Sequence, residues 1–133
     1  MILLDTHVLI WLDEGNPRLG KISLQTIIES LSKGQLGIAT ISFWEVAMLI
    51  EKQRLTMQTE LDVWRSDLLQ TGLLEIPLQA TTAIRAGQLQ MFHGDPADRM
   101  IVATAIENGA TLMTADSKIL SWDALPLKID ARL

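Results

Sequence analysis

Four of the sixteen acidic residues stand apart by their place in the hydrophobic pattern. Asp5 ends the apolar run Ile2-Leu3-Leu4, and Asp116 follows Thr111-Leu112-Met113-Thr114-Ala115. Glu45 opens the stretch Val46-Ala47-Met48-Leu49-Ile50, and Asp98 precedes Met100-Ile101-Val102-Ala103-Thr104-Ala105-Ile106. Each has a plain reading as an acid at a helix start, where a carboxylate meets free backbone N–H groups and the positive end of the helix dipole. Asp95 then serves as an N-cap with Pro96 at the first helical position. Ser42 and Glu45 likewise form the Ser-x-x-Glu spacing of a capping box. The other reading is chemical. Carboxylates gathered at one place repel one another unless some are protonated or a cation is bound. Oxygen ligands of this kind suit Mg²⁺ or Mn²⁺. The absence of cysteine, with His7 and His93 far apart in the chain, argues against zinc.

Which reading holds depends on the elements that carry these residues. Ile2-Leu3-Leu4 is expected as a buried strand and Thr6 to Leu12 as a helix. Gly15-Asn16-Pro17 breaks the chain. Ile22 to Leu31 is expected as an amphipathic helix with Leu24, Ile27, Ile28 and Leu31 on its apolar face, stopped by Gly34. Leu36 to Thr40 is the second strand, followed by the Ser42 helix. Helices are expected over Thr59 to Leu69, Gln79 to Met91 and from Asp95 onward, and strands over Leu73 to Ile76, Thr111 to Thr114 and, at an edge, Leu127 to Ile129. Alternating strands and helices at crossover spacing imply an α/β fold: a three-layer α/β/α sandwich with a mostly parallel central sheet. In such a sheet the strand C-termini and the following helix N-termini share one rim, where ligands bind. Positions 5, 45, 98 and 116 are therefore expected to converge there.

The totals bound the rest. The 133 residues suffice for one domain, 1–133. Apolar residues make up 48% and charged residues 20%, a soluble globular balance. Met1-Ile2-Leu3-Leu4 lacks a basic start and is cut short by Asp5, so no signal peptide is expected. No apolar run reaches membrane-span length, and a cytoplasmic location is the expectation. The net charge of −5 argues against nucleic-acid binding through a basic surface alone. Bound divalent cations would reverse the local charge.

Leu4-Asp5-Thr6-His7, Ser42-Phe43-Trp44-Glu45, Asp95-Pro96-Ala97-Asp98-Arg99-Met100-Ile101-Val102-Ala103 and Thr114-Ala115-Asp116 together resemble the four acidic motifs of PIN domains. More narrowly, they resemble the VapC-type toxins of type II toxin–antitoxin pairs. The order is right, and the resemblance spans essentially the whole chain. It implies a metal-dependent ribonuclease, with Asp5, Glu45, Asp98 and Asp116 at the acidic positions and Thr6 and Ser42 as supporting polar residues. Asp5 and Asp98 are then the principal Mg²⁺ (or Mn²⁺) ligands, with Glu45 and Asp116 completing the set. A protein antitoxin, an RNA substrate and a homodimer are the implied partners. Asp95 remains a cap. Trp11 and Trp44 flank the acids and could stack on bases, but lie among Leu, Ile and Val as core residues do. His7 is expected in a solvated loop, and Arg99 in solvent or paired with Asp95 or a neighbouring acid. Arg18, Lys21, Lys52, Arg54 and Arg85 are the scattered cations from which an RNA groove could be drawn. Two other readings share the fold: a phosphoacceptor receiver domain, and a non-catalytic binding module. The receiver usually has an acid pair after its first strand and a lysine late in the chain at a strand end. Here Asp5 stands alone, and Lys118 follows Asp116 in a loop.

Overall fold

The computed structural model describes residues 1–133. Strands β1 (Ile2–Leu4), β2 (Leu36–Ala39), β3 (Leu74–Ile76), β4 (Thr111–Thr114) and β5 (Lys128–Asp130) form one sheet in the order β3-β2-β1-β4-β5. Every pairing is parallel, so the mostly parallel expectation is met in full. β1 is central, and Leu4 lies between Ile38 and Met113. The order differs from the 2-1-3-4-5 of receiver domains, which removes that alternative. The chain reverses its direction of travel across the sheet between β1 and β4. Asp5 and Asp116 follow the two strands that flank this switch point, where open α/β sheets bind ligands.

Successive residues of β1 face opposite sides of the sheet, as the strand period requires. Leu4 packs with Val8, Leu9, Ile27, Phe43, Val46 and Trp64, from helices α1 (Thr6–Glu14), α2 (Lys21–Ser32), α3 (Thr40–Glu51) and α4 (Leu61–Gln70). Leu3 packs with Ile101, Val102, Ala105 and Ile119, from helices α6 (Pro96–Glu107) and α7 (Ser117–Leu120). Helix α5 (Ala80–Gln88) lies against α6. These are the three layers. No helix is long and apolar enough to cross a membrane.

Three local expectations fail for tertiary reasons. α3 begins at Thr40, two residues before the proposed Ser42 cap, because the Thr40 hydroxyl is anchored on Glu75 Oε2 at 2.9 Å beside β3. Ser42 and Glu45 therefore lie inside the helix and form no capping box. α5 stops at Gln88, since Leu89 is extended and the carbonyls of Leu89, Phe92 and His93 are taken by the Arg99 guanidinium. Arg99 is thus a brace for the chain entering α6, with no acid as partner. On α2, Ile27 is buried, but Leu24 and Ile28 are exposed.

The N-terminus of α2 docks on the end of the chain. Gly20 N–H donates to Ala131 O, and Ser23 N–H to Leu133 O, each at 2.9 Å. A Cβ on Gly20 would fall 1.9 Å from Leu133 O, a backbone atom that cannot step aside alone. Gly20→Ala is therefore expected to cost at least about 1–3 kcal/mol, the range for overpacking. A urea midpoint at the wild-type value would show that this contact is loosely held.

Candidate active site

All four acids reach the rim. Asp5 follows β1 and is held almost completely buried. It acts as N-cap of α1, accepting from Thr6 N–H at 2.8 Å through Oδ1, while Oδ2 accepts from the Thr114 hydroxyl at 2.7 Å. Glu45 enters from the second turn of α3, and Asp98 from the first turn of α6. One carboxylate oxygen from each of Asp5, Glu45 and Asp98 can be chosen so that all lie within 4.8 Å of one another. Asp116 caps α7, accepting from Lys118 N–H at 2.8 Å and Ile119 N–H at 3.4 Å through Oδ1. It shares a second such cluster with Asp98 and His93, so Asp98 stands between the two.

The supporting hydroxyls have a direction. Thr6 has one proton, and its Oγ1 lies 2.9 Å from Ser42 Oγ and 2.5 Å from Glu45 Oε1. A carboxylate can only accept, so Thr6 donates to Glu45 and Ser42 donates to Thr6. Fully buried Ser42 thereby fixes Thr6, and Thr6 fixes one oxygen of Glu45. Both supporting residues expected from the sequence are in place.

The electrostatics match crowding without compensation. Burial raises the Asp5 carboxyl above its ordinary range, and burial likewise raises Glu45. Asp98 is pushed up to about 8, first by burial and then by the charges of Asp5, Asp95, Asp116 and Glu45. No lysine or arginine is paired with Asp5, Glu45, Asp98 or Asp116; the only basic groups in contact with them are His7 at Asp5 and His93 at Asp98. Three acids whose ionised forms are disfavoured, facing one another with hard oxygen donors and no protein cation, fit a small divalent cation.

Three residues were misjudged or passed over in the sequence. Thr114 carries no distinct signal in the sequence beyond its position immediately before the Ala115-Asp116 end, yet its hydroxyl joins Asp5 to the Asp116 backbone N–H, which it accepts at 3.0 Å. His7 lies on α1 rather than in a solvated loop. Its Nε2 accepts from Ala115 N–H at 3.0 Å, which leaves the proton on Nδ1, 3.7 Å from Asp5 Oδ2. His93 Nε2 sits 3.3 Å from Asp98 Oδ2 and is buried without a well-formed hydrogen bond. The two histidines are far apart in sequence and both flank the acids in space. Trp11 is half-buried, in edge contact with His7. Trp44, expected in the core, is 51% exposed.

Residues 2–124 match the family model described as PIN domain. The chain is 36% identical over 124 residues, 90% of each sequence, to Ribonuclease VapC22 of Mycobacterium tuberculosis. Solved structures share the fold. A toxin–antitoxin complex from Klebsiella pneumoniae superposes with a TM-score of 0.66 at 20% identity, covering 98% of each chain. VapBC2 from Rickettsia felis, bound to a DNA fragment from its promoter, gives 0.66 at 20% identity, covering 97% of this chain and 98% of that one. The family match extends across the elements that carry the acids, from Asp5 after β1 to Asp116 after β4, the relative is matched over 90% of the chain, and the chain belongs to the PIN-domain family, with the VapC-type ribonuclease toxins.

Proposed function

We propose that the chain hydrolyses RNA phosphodiester bonds at this rim with Mg²⁺ or Mn²⁺, and that it is the toxin of a type II toxin–antitoxin pair. The observation that carries the reading is the convergence of Asp5, Glu45 and Asp98 with no lysine or arginine paired to them. Asp5 and Asp98 would hold the cation, and Glu45 and Asp116 would complete its surroundings directly or through water. A cation there supplies charge stabilisation for the phosphate and lowers the pKa of an attacking water.

The chain's own groups divide the remaining work. Asp5 is oriented through both oxygens by Thr6 and Thr114, so it can hold position without moving. Glu45 has one oxygen fixed by Thr6 and a carboxyl raised by burial, which suits it to orient a water and take its proton. Asp116 spends Oδ1 on two backbone N–H groups of α7, which makes Glu45 the better base of the two. His7 braces the Ala115 backbone beside Asp116 and so keeps the β4 end in register with Asp5.

A homodimer is part of the proposal, on the family resemblance. An antitoxin is part of it too, because the similar solved structures include toxin–antitoxin complexes. An antitoxin segment bearing cations would suit a protein of net charge −5. The direct test incubates the protein with labelled RNA in Mg²⁺, in Mn²⁺ and in EDTA. Internal cleavage is expected with either metal and none in EDTA. Cleavage at full rate in EDTA removes the metal. No cleavage under any condition leaves a binding module of the same fold.

A further inference from the structure

A cleft opens beside the acids between α3 and the start of α6, where Lys52 and Arg54 stand against Glu45 and Asp95. It encloses about 290 Å³ and has Glu45 at one boundary. Trp44, Met48 and Leu49 supply apolar lining, and Lys52 and Arg54 line the same cleft. Trp44 is 51% exposed, although Phe43 and Val46 beside it on α3 are buried. Neither Lys52 nor Arg54 is engaged in an ion pair, in a protein whose acids outnumber its Lys and Arg residues by sixteen to eleven.

The position of the two cations is specified by the backbone. α3 closes with the N–H of Arg54 donating to Leu49 O at 2.9 Å and the N–H of Gln53 donating to Ile50 O at 3.0 Å. That pair of bonds is the Schellman closure, with Gln53 left-handed at φ 59° where glycine is usual. The reversal at Gln53 turns the chain back so that Arg54 faces the same cleft as Lys52. A non-glycine residue held left-handed is an uncommon conformation that the surroundings must enforce. Asp95, on the opposite wall, has Oδ1 occupied by the N–H of Asp98.

We propose that this cleft is the subsite for a nucleotide of the RNA beside the scissile phosphate, with its base stacked on Trp44 and its backbone phosphates met by Lys52 and Arg54. The assignment rests on the ribonuclease reading and adds to it the surface that holds the substrate. Three observations favour a nucleotide. The cleft is continuous with Glu45. It pairs an exposed aromatic plane with unpaired cations, the combination that binds single strands. Its volume is near the roughly 300 Å³ at the lower end of ligand pockets. It also resolves how an acidic protein holds a polyanion: the cations are few, and they are placed where the strand runs.

The test is anisotropy of a fluorescein-labelled single-stranded RNA, measured in EDTA so that no strand is cut. Trp44→Ala is expected to weaken binding roughly 5- to 150-fold, the span of one base–aromatic stack. Trp44→Phe should retain most of the affinity. The Lys52→Ala/Arg54→Ala double variant should reduce the slope of log K against log salt by about 1.4, the share of two phosphates on a single strand. An abasic position walked along the RNA should cost affinity at one place in the wild type and cost nothing there in Trp44→Ala. Melting curves confirm that each variant is folded. Wild-type affinity in Trp44→Ala, or an abasic scan unchanged by that substitution, overturns the subsite. Loss of antitoxin binding with RNA binding intact also overturns it and assigns the cleft to the protein partner. In all of these cases wild-type cleavage of RNA in Mg²⁺ leaves the ribonuclease reading standing. A wild type that neither binds nor cuts RNA defeats both.

Discussion

Asp98→Asn is expected to abolish most RNA cleavage while leaving the metal-free protein at least as stable as the wild type at pH 7. The two effects share one cause. Asp98 lies between the Asp5–Glu45 cluster and the His93–Asp116 cluster, and its carboxyl is pushed up to about 8 by burial and four neighbouring acids. Asparagine keeps the side-chain length and an accepting oxygen but carries no charge. The repulsion that an ionised Asp98 would feel disappears, so folding loses nothing. Cation binding loses a ligand that both clusters use. Cleavage should fall by more than the roughly 10- to 100-fold that loss of an outer partner to a metal ligand costs. The stabilisation conferred by added Mg²⁺ should shrink in parallel, because linkage requires a site. Asp95 is the contrast. It accepts from Asp98 N–H at 3.0 Å and acts as a cap, so Asp95→Ala should lower stability by about 1 kcal/mol. The measurement is a melting curve with and without Mg²⁺, beside a cleavage rate. An Asp98→Asn protein that melts lower yet cuts RNA at the wild-type rate would make Asp98 a structural acid only.

The metal-free protein should lose stability as pH rises from about 5 to about 8, the reverse of ordinary acid denaturation. In the unfolded chain Asp98 ionises near its ordinary value of 3.8, whereas in the fold it stays protonated to about 8. Across that window the native state holds a proton the unfolded state has released. Stability then falls with pH, by up to about 1.4 kcal/mol per pH unit for each proton so retained. Burial raises Asp5 and Glu45 in the same direction. Glu75 and Asp130 oppose them: bonds from Arg65 and Thr40 lower Glu75, and bonds from Arg132 lower Asp130. Their contribution is complete above the ordinary carboxylate range and lost in acid. The two trends place the maximum for the metal-free protein near pH 5. With Mg²⁺ present the decline should flatten, because binding requires the ionised carboxylates and strengthens as Asp98 gives up its proton. Urea midpoints from pH 4.5 to 8.5, in EDTA and in Mg²⁺, measure both curves. A metal-free curve that is flat or rises to pH 8 would contradict the crowding of these acids.

The sequence by itself determined the layers and the rim. Strand and helix patterns repeat at crossover spacing, and a parallel sheet carries Asp5, Glu45 and Asp116 to the rim where its strands end, with Asp98 joining them because α6 leads directly back into β4. Asp95 as a cap was also legible, since the Asp-Pro pair is a local signal and the cap bond spans three residues. Tertiary structure decided what each acid does there. Ser-x-x-Glu reads as a capping box because that motif is defined locally. The box is not formed, because α3 starts earlier on an anchor to Glu75, 35 residues away, and Ser42 and Glu45 turn to Thr6 instead. Thr114 and His7 acquire their roles only because β1 and β4 are neighbours, which separates each from its partner by more than 100 residues. Trp44 reads as core from its neighbours in sequence, and only the position of α6 relative to α3 decides that a cleft opens over it. Periodicity reports which side of an element is apolar. The hydrogen bonds, the raised carboxyls and the exposed tryptophan arise between elements, where long-range distances and the loss of water set the energies, and no local pattern encodes those.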